Sequence, residues 1–308
     1  MTGFTQNLNV AEGSISIVTP HYNVLLFVDA NANTVYVNAT TANGVPFSVS
    51  ASIDIYRNAT MPANTEQSCK TYYDTPDTVV DPTTSTLTNC VVWYHRNIYV
   101  NDTQNFYNDT MWQQGVNPDT ISDPFVNKTF GGAIMGSSGM TKLDATTVTG
   151  ADIPFATIAI AVLTEQVADV NTWLSDLGDL IELVAQQTID DVYTEHVTSW
   201  EGIWNRSFID ISPTSGSSTT QADVDAIRFH YVWQRFLDLC DGRNAATPMK
   251  FNGQAFTVDV GSGPDYRDWG SAYWFVFMLF VDSFHFSFSF RSFFLEVGLV
   301  VLLLFVHF

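Results

Sequence analysis

Short β-branched and aromatic runs alternate with Asn, Gly, Pro and Asp clusters from about residue 4 to residue 163, a pattern that predicts strands joined by turns. The runs are SISIV (14–18), NVLLFVDA (23–30), TVYVNAT (34–40), PFSVSASIDIYR (46–57), VVWYHRNIYV (91–100), GAIMGS (132–137) and IPFATIAIAVLT (153–164). Within SVSASIDIYR, alternation puts Val49, Ala51, Ile53 and Ile55 on one face. Many short strands with turn signals between them predict an antiparallel β-sandwich rather than a parallel α/β sheet.

Near residue 164 the apolar period changes from two to about 3.6. Val170, Trp173, Leu174 and Leu177, then Leu180, Ile181 and Val184, recur at helical spacing. A second amphipathic helix is predicted from Ile189 to Phe208, carrying Val192, His196, Trp200 and Trp204. The loop SPTSGSSTTQ (212–221) supplies Ser/Thr caps for a third, roughly Asp223 to Cys240, with Val224, Ile227, Tyr231, Val232, Phe236 and Leu239 on one side. The order is a β-sandwich domain over 1–164, a helical domain that begins in 165–274, and a tail at 275–308 of different composition.

Composition narrows the function classes. The chain carries 32 Asp+Glu against 12 Lys+Arg, for a net charge of −20. Such a surface repels phosphate backbones and argues against nucleic-acid binding. Six sequons stand at Asn38, Asn58, Asn101, Asn108, Asn127 and Asn205, five of them before residue 130. With the acidic, Lys-poor composition they lead us to expect a glycoprotein of the secretory pathway or extracellular space. The opening MTGFTQNLNVAEG has neither the charged nor the apolar segment of a signal peptide, so we expect a start that lacks its leader.

Of the three cysteines, Cys69 and Cys90 flank a Pro/Thr/Asp-rich loop and are a candidate disulfide, worth on the order of 3 kcal/mol; two thiols are the alternative. Cys240 falls in an apolar helical pattern and reads as a core thiol. No Cys/His spacing suggests zinc and no glycine-rich motif suggests a nucleotide, so neither metal nor cofactor is expected.

Lys250 to Trp274 is the stretch richest in recognition chemistry. It gathers Asn252, Asp259, Asp265, Tyr266, Arg267, Trp269, Tyr273 and Trp274 in one Gly-punctuated segment. Sugar rings stack their C–H faces on Trp and Tyr, while their hydroxyls bond Asp, Asn and Arg. Two further clusters invite the same reading. Trp93 to Asn97 ends a strand, with Tyr94 and Arg96 on one face and Trp93, His95 and Asn97 on the other; it is either a cleft cluster or a buried, hydrogen-bonded His. His196, Trp200 and Trp204 lie one turn apart, as a subsite wall or, as spacing favours, a core face. Asp259, Asp265 and Asp268 do not establish the two flanking carboxyls that glycoside hydrolysis needs, and Asp265 beside Arg267 reads as an ionised acceptor. Gly136-Ser137-Ser138-Gly139 lacks the spacing of a nucleophile elbow and reads as a turn.

Together WYHRN (93–97), FGGAIMGSSG (130–139), WEGIWNRSF (200–208) and PMKFNGQAFTVD…PDYRDWGSAYW (248–274) resemble the six-hairpin glycosidase-like proteins of fungi and bacteria. These carry an N-terminal domain of unknown function and are distantly similar to α-L-fucosidases. The resemblance implies a β-sandwich packed on an (α/α)6 toroid, of which this chain holds only the first helices, with the sugar site in the toroid mouth. It marks Asn252, Asp265, Tyr266, Arg267, Trp269 and Trp274 as pocket-lining positions. No catalytic residue carries over: where the family continues into a W-Q-N-T-R-like helix, this chain continues FVFMLFVDSF.

The tail from Phe275 to Phe308 holds 11 of the 23 Phe and no Asn, Pro, Thr, Gln or Lys. It reads as translated non-coding or frameshifted sequence, as a membrane anchor through 293–308, or as a buried helix. The 16 residues of 293–308, apolar apart from Glu296 and His307, fall short of the roughly 20 a spanning helix needs. The expectation is therefore a glycoside hydrolase-like protein that acts on or binds carbohydrate, truncated and inactive as this chain. The alternative is a non-catalytic carbohydrate-binding or cell-surface module with a C-terminal anchor.

Overall fold

A computed structural model describes residues 3–55, 58–59, 75–80, 87–98, 108, 111–122, 126–216, 218–242 and 306–307. It divides into two compact units: 1–65 with 69–206 and 303–308, and 66–68 with 207–302.

The first unit holds two antiparallel sheets and two helices. The strands are β1 (Thr5–Asn9), β2 (Ser14–Val18), β3 (Tyr22–Val28), β4 (Thr34–Thr41), β5 (Phe47–Ser52), β6 (Thr78–Val80), β7 (Val91–Arg96), β8 (Lys128–Gly136), β9 (Met140–Lys142), β10 (Thr147–Ile153), β11 (Phe155–Gln166) and β12 (Val306–His307). The large sheet runs β1-β2-β3-β4-β11-β8-β7-β6 and the small one β12-β5-β10-β9. Helices α1 (Val170–Ala185) and α2 (Ile189–Trp204) follow β11.

Alternation along the central strands feeds two cores at once. Val24, Val37, Val91, Ile134, Ile158 and Ile160 of the large sheet meet Val49, Ala51, Met140, Val148 and Ile153 of the small one, which closes the sandwich. The intervening residues point the other way. Val92 and Ala133 pack under Trp173, Leu177 and Ile181 of α1. Phe27, Tyr36 and Ala159 pack against Val184 of α1 and Val192 of α2. A sheet covered on both faces is apolar at every position, which is why NVLLFVDA and IPFATIAIAVLT show no clean hydrophobic–polar alternation. Register fixes the arrangement: Val37 pairs with Ile158, Ile134 with Ile160, and Val91 with Ile134. A one-residue slip would send each of these side chains to the opposite core.

Each of the seven runs predicted as strands contains a strand. Five strands escaped the sequence pattern: β1, β6, β9, β10 and the two-residue β12. β1 is polar and mostly exposed, and β6 and β9 are three residues each, too short to show a period. Val49 and Ala51 are buried as predicted, although β5 stops at Ser52 and the segment around Ile53 and Ile55 is not strand. Ser137 to Gly139 is the turn of the β8–β9 connection, with Met140 donating to the Ser137 carbonyl at 3.0 Å.

Both helices start at side-chain caps. Asp169 accepts from the Asn171 amide, and Thr188 accepts from the Asp191 amide while its hydroxyl donates to the Asp191 carboxylate at 2.7 Å. α2 ends at Trp204, four residues short of the predicted Phe208.

In the second unit, α3 (Gln221–Gly242) begins at Thr220, whose hydroxyl accepts from the Asp223 amide. The predicted apolar side is only partly covered. Val224 and Phe236 are buried, but Ile227 and Val232 are exposed. Arg228 anchors the helix instead, bonding the Asp210 carboxylate and the Ile211 carbonyl, and Arg235 donates to the Ser207 carbonyl. No described helix is long and apolar enough to cross a membrane.

Candidate functional site

The residues singled out in the sequence separate into two groups. Asn252, Asp265, Tyr266, Arg267, Trp269 and Trp274, with Asp259, Asp268 and Tyr273, lie outside the described residues. The β7 cluster and the α2 cluster are fully placed, and both are built into the packing of the first unit.

At the end of β7, His95 is 4% exposed; its Nδ1 lies 3.0 Å from Asp77 Oδ1, and its ring lies 5.0 Å from that of Phe130. It is the buried, hydrogen-bonded histidine of the two sequence readings. The faces divide as alternation requires: Trp93 packs on the sandwich core and Tyr94 on Trp173 of α1, with ring centroids 5.6 Å apart. Arg96, on the Tyr94 side, is a five-bond clamp. It donates to Thr129 Oγ1 at 2.6 Å, to the carbonyl and side chain of Asn127, and to the carbonyls of Val167 and Ala168. One guanidinium therefore joins β7, the start of β8 and the β11–α1 connection, a task suited to its planar fork of donors.

The glycines beside this cluster are also structural. A Cβ on Gly131 would lie 2.1 Å from the Trp93 carbonyl oxygen, and one on Gly132 2.2 Å from that of Ala161. Strand β8 is thus pressed against both neighbours along the FGG of the 130–139 motif.

The α2 cluster is a ladder of rings that holds the β1–β2 turn. Tyr193 stacks on His196 at 5.9 Å, His196 meets Trp200 edge-on at 6.3 Å, and Trp200 stacks on Trp204 at 6.2 Å. His196 is fully buried; its Nδ1 accepts from the Ala30 amide at 3.0 Å, so the ring proton sits on Nε2 and is donated to the Glu12 carbonyl at 2.7 Å. Tyr193 donates to the Glu12 carboxylate at 2.8 Å, and Trp204 Nε1 donates to the Val10 carbonyl at 3.2 Å. Gly13, at φ +59, lies so close under Trp200 that a Cβ would come within 2.2 Å of the indole. The core-face reading of His196, Trp200 and Trp204 is the one the structure bears out.

Cys90 is buried beside Val92 and Trp173, and burial pushes its thiol up to about 11 despite the opposing effect of Lys142. Its candidate partner, Cys69, lies outside the described residues. Cys240 is exposed rather than buried as its helical pattern implied. Among the described residues no group of three or more His, Cys, Asp or Glu is placed to hold a metal ion.

Sequence reasoning missed one carboxyl pair. Glu165, near the end of β11, is influenced by Asp176 on α1: desolvation followed by the Asp176 charge holds Glu165 above the usual carboxylate range. Its Oε2 is buried and has no hydrogen-bond partner among the described residues. Eleven residues separate the two across a change from strand to helix, so no single period links them.

An antiparallel sandwich followed by helices is the class this architecture defines. The family model described as a domain of unknown function (DUF5703) matches residues 1–209, and the chain belongs to that family. No curated protein matches it. A solved structure named as that of a kojibiose phosphorylase from the human microbiome is similar at 8% identity and a TM-score of 0.36, over 64% of this chain. The chain spans about a quarter of that protein, 24% of its length.

Proposed function

We propose that this is a glycoside hydrolase-like protein that acts on or binds a carbohydrate, its sugar-recognising residues in the segment 250–274 and its sandwich a supporting domain. The observation that carries the reading is the density of complementary chemistry in KFNGQAFTVDVGSGPDYRDWGSAYW, together with its likeness to the six-hairpin glycosidase-like block. Trp269 and Trp274 offer stacking faces, Asn252 and Asp265 accept from sugar hydroxyls, and Arg267 donates in pairs to ring or hydroxyl oxygens. Tyr266 supplies both a face and a hydroxyl.

The other aromatic and histidine clusters are already committed. His95, Arg96, His196, Trp200 and Trp204 each spend their polar atoms or ring faces on the first unit's own packing. A saccharide would have to displace those contacts to use them. The likeness to α-L-fucosidases and the continuation into an (α/α)6 toroid belong to the same proposal, as does a secreted setting.

The test is binding of the full chain to an array of oligosaccharides, followed by calorimetry on the best ligand. Asp265→Ala is expected to weaken that ligand about tenfold, equivalent to ~1.4 kcal/mol. No binding and no sugar release across the array would overturn the proposal, and so would binding that Asp265→Ala and Trp269→Ala both leave unchanged.

A further inference from the structure

The six sequons are equivalent in sequence but not in the fold. Asn38 sits inside β4, with Leu25 paired on one side and Thr157 on the other, and its side-chain oxygen accepts from Thr157 Oγ1 at 3.0 Å. It is half-buried and, by alternation with Thr34 and Tyr36, shares the sheet face that the helices cover. Asn127 is held in the left-handed region at φ +62, and its carbonyl and side-chain oxygens both accept from Arg96. A branched sugar on either amide nitrogen would sit against packed elements whose bonds define the fold. Asn108 is half-buried, Asn58 is exposed, and Asn101 lies outside the described residues.

Asn205 differs. It is the C-cap of α2, and its backbone amide is satisfied by the Glu201 and Ile203 carbonyls. Its side chain is exposed and makes no hydrogen bond among the described residues, and Arg206 and Ser207, which complete the sequon, are exposed as well. The ring ladder of α2 shows why this end can carry a large group. Trp204 turns inward to the Val10 carbonyl, which leaves the next residue directed to solvent.

We propose that Asn205 is an N-glycan acceptor of this protein, and that Asn38 and Asn127 are not. The donor class is an oligosaccharide carried on a lipid diphosphate. The Asn205 Nδ2 attacks the anomeric carbon and loses one proton; the Nδ2–C1 bond forms, the C1–O bond breaks, and the lipid diphosphate leaves with the bonding electron pair.

The experiment directs the full chain through a eukaryotic secretory host with an added leader peptide, and maps the folded, secreted product by glycopeptide mass spectrometry. Glycan on Asn205, with Asn38 and Asn127 bare, is the expected result. Asn205→Gln and Ser207→Ala should each remove one glycan step on a gel, whereas Ser207→Thr, which keeps the hydroxyl, should retain it. If Asn205→Gln is not secreted, the Ser207 pair decides. A bare Asn205 in the secreted protein, or glycan at Asn38 or Asn127, overturns the proposal.

Discussion

His196 donates from Nε2 to the carbonyl of Glu12 at 2.7 Å, and this bond spans 184 positions of the chain. The same ring accepts from the Ala30 amide, so one side chain ties two turns of the large sheet to α2. His196→Phe keeps the ring volume and removes both bonds. Each buried partner left unpaired costs ~1–3 kcal/mol, and the variant is expected to lose about 2–4 kcal/mol. Equilibrium urea denaturation checks this; an unchanged midpoint would show that water replaces the imidazole.

Gly13 is the other half of that clasp. Alanine there suffers twice, from φ +59 and from a Cβ that would lie 2.2 Å from the Trp200 ring. Gly13→Ala is expected to cost about 1–3 kcal/mol. The steric part should be relieved in the double variant with Trp200→Leu, so the two substitutions should combine to less than their sum. Strict additivity in denaturation would place the whole cost in the backbone.

Tyr36 leads to the opposite sign. Its hydroxyl is buried without a hydrogen-bond partner among the described residues, and desolvation, aided by the Asp29 charge, pushes the phenol up to about 12. Its ring stacks on Phe27 at 5.2 Å, a contact that phenylalanine would keep. Tyr36→Phe removes an unsatisfied group and keeps the stacking, so stability should be unchanged or higher by up to about 1 kcal/mol. A clear loss in thermal or chemical denaturation would reveal a bond to an internal water.

These sites show which part of the molecule its sequence discloses. The strands and helices were legible because burial imposes a period, and Val49 with Ala51 or Trp173 with Leu177 show it plainly. The roles of Trp200 and Trp204 were half legible: helical spacing marked a face, but nothing local said that the face would clasp the β1–β2 turn. Arg96 was visible as part of WYHRN, yet its partners at 127, 129, 167 and 168 come together only when β7, β8 and β11 pair. β1 stayed hidden because an exposed edge strand has no buried face to impose alternation. The sugar-site block was legible only as chemistry, because ligand geometry depends on how distant segments close around it.

Glu165 supplies a dependence on pH whose sign runs against the usual carboxylate. Burial first, and the Asp176 charge second, hold its folded pKa above the ordinary value, so the folded chain binds this proton more tightly than the unfolded chain does. Its stabilising contribution is therefore complete below the unfolded pKa and is lost as pH rises through the folded one. Glu165→Gln keeps the shape and stays neutral at every pH. It should melt higher than the parent at neutral pH, and the gap should close as pH falls below the ordinary carboxylate range. Melting curves across that range check the sign. A variant less stable than the parent at pH 7 would mean that the ionised Glu165 is favourably bonded, and that the Asp176 partner does not govern it.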